Sequence, residues 1–137
     1  MIKANREIFR TLEKVCIANP AEIKMAAAIV RRNRIISIGM NNLNKSHPLA
    51  AKFAKSKEAI FPHAEISAIK NALREIDVDD LLKTEMYVCR VKKPKPRSKI
   101  WVPGLAKPCE GCRRAILEFG IKRVLYTTDE ENVYGEL

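Results

Sequence analysis

The sequence predicts an α/β fold, a mixed sheet of four to five strands with helices packed on it. Three observations carry this. Helix-period apolar stripes and short β-rich runs follow one another in the order α-β-β-α-β-α-β-(β), with no internal repeat. The length, 137 residues, suits a single domain over 1–137. The composition is globular, 47% hydrophobic and 31% charged. A domain of this size buries roughly two-thirds of its unfolded surface and needs no disulfide to hold it.

Taken in order, residues 5–18 place Ile8, Leu12 and Val15 at helical spacing, with Phe9 and Cys16 beside them, and Asn19-Pro20 ends that helix. Residues 25–31 and 35–39 read as two strands joined by a turn at Arg32-Asn33. Residues 41–48 are a polar loop containing His47, and the stretch through Ile60 has no decisive pattern. Pro62 suits the first turn of a second helix, running from His63 to about Glu75 with Ile66, Ile69, Leu73 and Ile76 on one face. Residues 81–91 contain a third strand centred on Met86, Val88 and Cys89. Residues 92–103 carry Lys92, Lys93, Lys95, Arg97 and Lys99 among three prolines and read as a basic loop, in which Trp101 either stacks on a ligand or pins the loop to the core. Pro108 opens a third helix that Gly120 closes, with Cys112, Ile116 and Phe119 on one face. Residues 121–127 form a fourth strand, and residues 132–137 a short fifth.

A formal charge of +10 and a pI near 9.7 favour anionic partners such as nucleotides or nucleic acid. No apolar run is long enough to cross a bilayer, and no signal peptide opens the chain, so no membrane partner and a cytoplasmic location are expected. In a reducing compartment, closely spaced cysteines point to metal or catalysis rather than to a bridge. Cys109 and Cys112 are so spaced, whereas Cys16 and Cys89 read as core residues.

Two motifs carry chemistry: Pro62-His63-Ala64-Glu65 and Pro108-Cys109-Glu110-Gly111-Cys112. One His and two Cys can hold Zn²⁺ and leave its fourth position open, the arrangement of a catalytic rather than a structural site. Three residues apart at a helix start, the two sulfurs can converge on one ion, and a helix N-terminus favours their thiolates. Zinc lowers the pKa of a bound water from about 15.7 to about 7. Glu65, two residues from a ligand, is then free to shuttle protons, worth roughly 10²–10⁴ in rate. Neither half is specific alone: H-x-E is common, and P-C-x-x-C also serves zinc ribbons and redox dithiols. A ribbon needs a second pair that Cys16 and Cys89 do not supply, and a redox dithiol belongs near a first strand. Both halves in this order, with a strand between, favour hydrolytic deamination of a nucleobase.

On these residues the chain resembles the cytidine/deoxycytidylate deaminase superfamily over essentially its full length. The resemblance spans the strand pair ending in Gly39-Met40-Asn41, the run from His63 to Ile69, the P-C-x-x-C motif, and Gly120-Ile121-Lys122-Arg123-Val124-Leu125-Tyr126. It implies a three-layer α/β/α fold with helices on both faces, Zn²⁺ held by His63, Cys109 and Cys112, Glu65 as the catalytic acid/base, and a homo-oligomer. Histidine in the first motif is similar to the deoxycytidylate and tRNA-adenosine branches. An asparagine at the end of strand two contacts substrate there, which carries over to Asn41, although Met40 replaces the usual aromatic. Ala64 joins it as a substrate-binding position. The helix that usually links strands four and five has no counterpart here, nor has the basic loop in the family. The implied reaction converts dCMP to dUMP and releases ammonia. The alternatives are a nucleic-acid base (tRNA adenosine or single-stranded cytosine), which the charge and Trp101 would suit, or another free nucleoside or nucleobase. A zinc-stabilised binding module would leave Glu65 without a role.

Overall fold

The computed structural model describes residues 4–41 and 63–137, so His47 and Pro62 lie outside the described residues. Helix α1 (Arg6–Ala18) is capped by Asn5, whose side chain accepts the N–H of Glu7, and it turns Ile8, Phe9, Leu12 and Cys16 inward. Strands β1 (Lys24–Arg31) and β2 (Arg34–Met40) form an antiparallel hairpin. Its two turn residues, Arg32 and Asn33, have φ of 52° and 62°. Two successive left-handed residues give the backbone twist that a two-residue hairpin turn requires. Strand β3 (Glu85–Lys92) runs antiparallel to β1 and parallel to β5 (Arg123–Thr127), and β6 (Tyr134–Glu136) returns antiparallel to β5. The order is β2-β1-β3-β5-β6.

The interior strand β1 explains the layering. Every residue from Ala26 to Val30 is fully buried, so β1 is covered on both faces and reads as an unbroken apolar run. Ala26, Ala28 and Val30 pack with Tyr87, Cys89, Val91 and Leu125 under α1. Ala27 and Ile29 pack with Met86, Val88 and Val124 under helices α2 (Ala64–Ala72) and α3 (Glu110–Phe119). The fold is the expected α/β/α arrangement with helices on both faces. Among the described residues no helix is long and apolar enough to cross a membrane.

The structure departs from the sequence reading in four places. The sheet has six strands rather than four to five, because Val102–Gly104 forms β4, paired with Arg90 to Lys92 of β3 beyond the point where β5 stops. Pro103 is tolerated there because β4 is short and lies off the main path of the sheet. The basic loop therefore shrinks to residues 93–101. Helix α2 ends at Ala72, after which i→i+3 bonds tighten the chain through Arg74 and Glu75, and residues Val78–Lys83 form a 3-10 helix capped by Asp77 where the sequence suggested the lead into β3. His63 and Cys109 are N-caps rather than helical residues, so Pro108 precedes its helix instead of occupying the first turn.

The face of α2 against the sheet is made of Ala64, Ala68, Ala72 and Ile69, with Leu73 and Ile76 packed against the same cluster, so small residues join the larger ones that the periodicity emphasised. Small residues let the helix approach closely, and Gly39 of β2 is the limiting point. A Cβ there would lie 2.2 Å from the Ala68 nitrogen and 2.6 Å from the Ala64 carbonyl oxygen, both backbone atoms that cannot rotate away. Ser37 Oγ donates to the Ala68 carbonyl at 2.7 Å, and Asn71 Nδ2 to the Ile38 carbonyl at 2.9 Å, fixing the register of helix on strand. Gly39→Ala is therefore expected to destabilise the protein by about 1–3 kcal/mol, the usual range for overpacking, and to lower its metal content as α2 is displaced. Thermal denaturation with elemental analysis checks both, and an unchanged melting temperature would show that α2 is not seated on β2 as described.

Candidate metal centre and active site

Two helix starts meet beside the sheet. Ile66 of α2 packs with Cys112 and Ala115 of α3, which brings the first turns of both helices together. Cys109 caps α3 with its thiol, which accepts the N–H of Cys112 at 3.5 Å in the place of the usual Ser or Asp oxygen. His63 caps α2 without a side-chain cap bond, leaving its ring free. Nδ1 of His63 lies 3.4 Å from Cys109 Sγ and 3.3 Å from Cys112 Sγ, and the three donor atoms lie within 4.8 Å of one another. Zn–S bonds of about 2.3 Å and Zn–N bonds of about 2.0 Å at tetrahedral angles require N···S separations of roughly 3.5 Å. The donor set fits zinc in both chemistry and spacing, and the sequence named all three residues.

The protonation of the cluster follows from its geometry. Cys109 is lowered to about 4, first by the hydrogen bond from Cys112 and next by that from His63. Cys112 is pushed up by the same hydrogen bond with Cys109 and then by burial, so without a cation the pair shares one negative charge. His63 is raised chiefly by its bond to Cys109. A divalent ion held by both sulfurs ionises the second thiol as well.

Glu65 sits on the first turn of α2, 2% exposed. Burial pushes its carboxyl up, opposed by its own backbone N–H and by His63. Its Oε1 has no hydrogen-bond partner, and among the described residues only Arg90 Nε shares that state. A buried carboxyl with an unused oxygen beside a metal cluster is equipped to hold a proton and pass it on. Ala64 is fully buried against the sheet. Asn41 is 8% exposed, with a side chain bonded to Asn19, Ile23 and Met25. Of the supporting residues, Ser37 and Asn71 were assigned no role from the sequence, Asn19 only that of ending α1, and Gly39 only a place in the strand-two motif. A glycine inside a strand often marks a close backbone approach.

This donor set, carried by a three-layer α/β/α fold with Glu65 beside it, suits the zinc centre of a hydrolytic deaminase. Residues 4–128 match the family of the cytidine and deoxycytidylate deaminase zinc-binding region, and the chain belongs to that family. Solved structures share the fold. The cytidine deaminase from Burkholderia pseudomallei is 16% identical over 98% of this chain and 92% of its own, with a TM-score of 0.64. The dCMP deaminase from the cyanophage S-TIM5 is similar in its apo form, at 19% identity over 95% of this chain and 90% of its own, TM-score 0.58. Its complex with dCMP and dUMP is 17% identical over 88% and 78%, TM-score 0.57. No curated protein matches the chain.

The purified protein is expected to contain about one zinc per chain. Elemental analysis of a Cys109→Ala, Cys112→Ala double variant should find the zinc gone and the fold weakened, because binding and folding are coupled. Full occupancy in that variant would refute the ligand set.

Proposed function

We propose that the protein is a hydrolytic deaminase of a deoxycytidine nucleotide, converting dCMP and water to dUMP and ammonia. The observation that carries the reading is Glu65, a buried carboxyl with an unpartnered oxygen, next to the His63, Cys109 and Cys112 cluster. Zinc bound by those three residues would supply a Lewis acid that makes water nucleophilic at neutral pH. Glu65 takes a proton from the attacking water and delivers it to the ring nitrogen beside the C–NH₂ carbon. It then carries a second proton to the amino group, which leaves as ammonia. Burial keeps the Glu65 carboxyl above its ordinary range, toward the working pH, where a group that must both accept and donate is most effective.

Two features support a nucleotide over a nucleic acid strand. One relative of the same fold was solved with dCMP and dUMP. The other is the placement of Trp101, the aromatic residue of the basic segment. It packs into the cluster under α1, the face of the sheet opposite α2 and α3, with Lys93 Nζ 4.9 Å and Lys24 Nζ 5.7 Å from its ring centre. A ring held by the core and flanked by two ammonium groups is a pin rather than a stacking platform.

Glu65→Gln is expected to keep zinc and fold while turnover of dCMP falls roughly 10²–10⁴-fold. Ammonia release at matched zinc content measures this, and near-normal turnover would remove Glu65 from the mechanism. Neutralising Lys93, Lys95 and Arg97 together is expected to change dCMP turnover only a few-fold, with a cytosine-bearing oligonucleotide left untouched. Faster turnover of the oligonucleotide than of dCMP, with a steep salt dependence of roughly 0.7 log units per contacted phosphate, would reverse the substrate choice.

A further inference from the structure

A buried polar network lies at the end of the sheet where α2 begins, outside the proton path. The sequence marks Asn19 only as the residue that stops α1, yet it is 2% exposed with all its side-chain groups engaged. Its Oδ1 accepts the Ala21 N–H at 3.0 Å, while its Nδ2 donates to the Met25 carbonyl at 3.2 Å and to Asn41 Oδ1 at 2.7 Å. Asn41 Oδ1 accepts a second hydrogen bond from the Met25 N–H at 3.1 Å, and Asn41 Nδ2 donates to the Ile23 carbonyl at 2.7 Å. A carboxamide has two acceptor sites and two N–H hydrogens. Asn41 has both acceptor sites and one hydrogen in use, and among the described residues nothing accepts the other hydrogen. Asn41 directly follows the last residue of β2, two residues beyond Gly39, the point where β2 meets Ala64 at the start of α2, next to His63.

We infer that Asn19 is a positioning residue for substrate recognition: it holds the Asn41 carboxamide in one orientation, so that Asn41 meets the nucleoside as a hydrogen-bond donor only. The inference rests on the reading of Asn41 as a substrate contact and deepens it. Turning the Asn41 amide over would set its NH₂ against Asn19 Nδ2 and the Met25 N–H, and its oxygen against the Ile23 carbonyl. Three buried hydrogen bonds would become three repulsive contacts, which is why the orientation is fixed. With both Asn41 lone pairs taken, the substrate atom opposite must be an acceptor, and a hydroxyl bound there must send its own hydrogen elsewhere.

Asn19→Asp tests this. Aspartate keeps an acceptor for the Ala21 N–H but faces Asn41 Oδ1 with an oxygen instead of a donor. The expected result is a KM for dCMP raised roughly tenfold, the loss of about one hydrogen bond, with kcat and zinc content little changed. Asn41→Ala should raise KM at least as much, and adding Asn19→Asp to it should change nothing further. If Asn41→Ala leaves KM unaltered, the substrate-contact reading fails. If it raises KM while Asn19→Asp does not, the positioning role fails alone. Side-chain amide NMR on the wild-type protein gives an answer even where a variant does not fold. Both Asn19 hydrogens and one Asn41 hydrogen should exchange slowly in the free protein, and saturation with dUMP should slow the second Asn41 hydrogen. If dUMP shifts other resonances and leaves that hydrogen exchanging freely, the donor contact is overturned. If dUMP shifts no resonance, the nucleotide reading falls and takes this inference with it.

Discussion

The metal cluster depends on how closely α2 lies on the sheet. His63 and Glu65 stand on the first turn of that helix, and their height above β2 is set where Gly39 meets Ala64 and Ala68 backbone to backbone. Any Cβ at residue 39 would meet the Ala68 nitrogen at 2.2 Å and force the helix to move, while a catalytic constellation tolerates roughly 0.5 Å. The alanines at residues 64, 68 and 72 extend the close approach along the helix. Ser37 and Asn71 then lock its register from two adjoining residues of β2. Hydrophobic burial alone would let a smooth alanine face slide, and the two side-chain hydrogen bonds remove that freedom.

The second half of the cluster is held differently, by Thr127 at the end of β5. Its hydroxyl accepts the N–H of Arg90 and donates to the Gly104 carbonyl at 2.7 Å, while its carbonyl accepts the N–H of Ala106 at 2.9 Å. One residue thus ties β3, β4 and β5 to the short segment that leads into Pro108 and Cys109. At the far end of α3, Gly120 takes a left-handed φ of 71° and lets the Ile121 N–H close on the Ile116 carbonyl. With α3 fixed at both ends, Cys109 and Cys112 meet a histidine delivered by a second helix, and the contact of Ile66 with Cys112 and Ala115 joins the two halves.

How much of this was legible follows from the range of each interaction. The hairpin ladder, the stripe of α1 and the motif spacings 63–65 and 109–112 are local patterns, readable within a few residues of sequence. Residues 102–104 were missed because their three-residue strand is defined by its partner in β3, and Pro103 argued against pairing. The alanines of α2 went unremarked because the apolar period stood out at Ile66, Ile69, Leu73 and Ile76, whereas close packing is written in alanine, which carries little periodic signal. Asn19 looked like a simple helix stop because its partner is 22 residues away and joins it only through the fold.

Charge acts on this molecule at two separate scales. At the cluster, burial is the main influence on Glu65 and raises its carboxyl, opposed by its own backbone N–H and by His63. The formal charge of +10 belongs to the sequence as a whole and favours anionic partners. Trp101 holds Lys93 and Lys24 near the α1 face, the side of the sheet away from the cluster, where their charge acts on what approaches from solvent. A buried carboxyl beside the cluster and ammonium groups on the opposite face thus put the two kinds of charge on separate sides of the sheet.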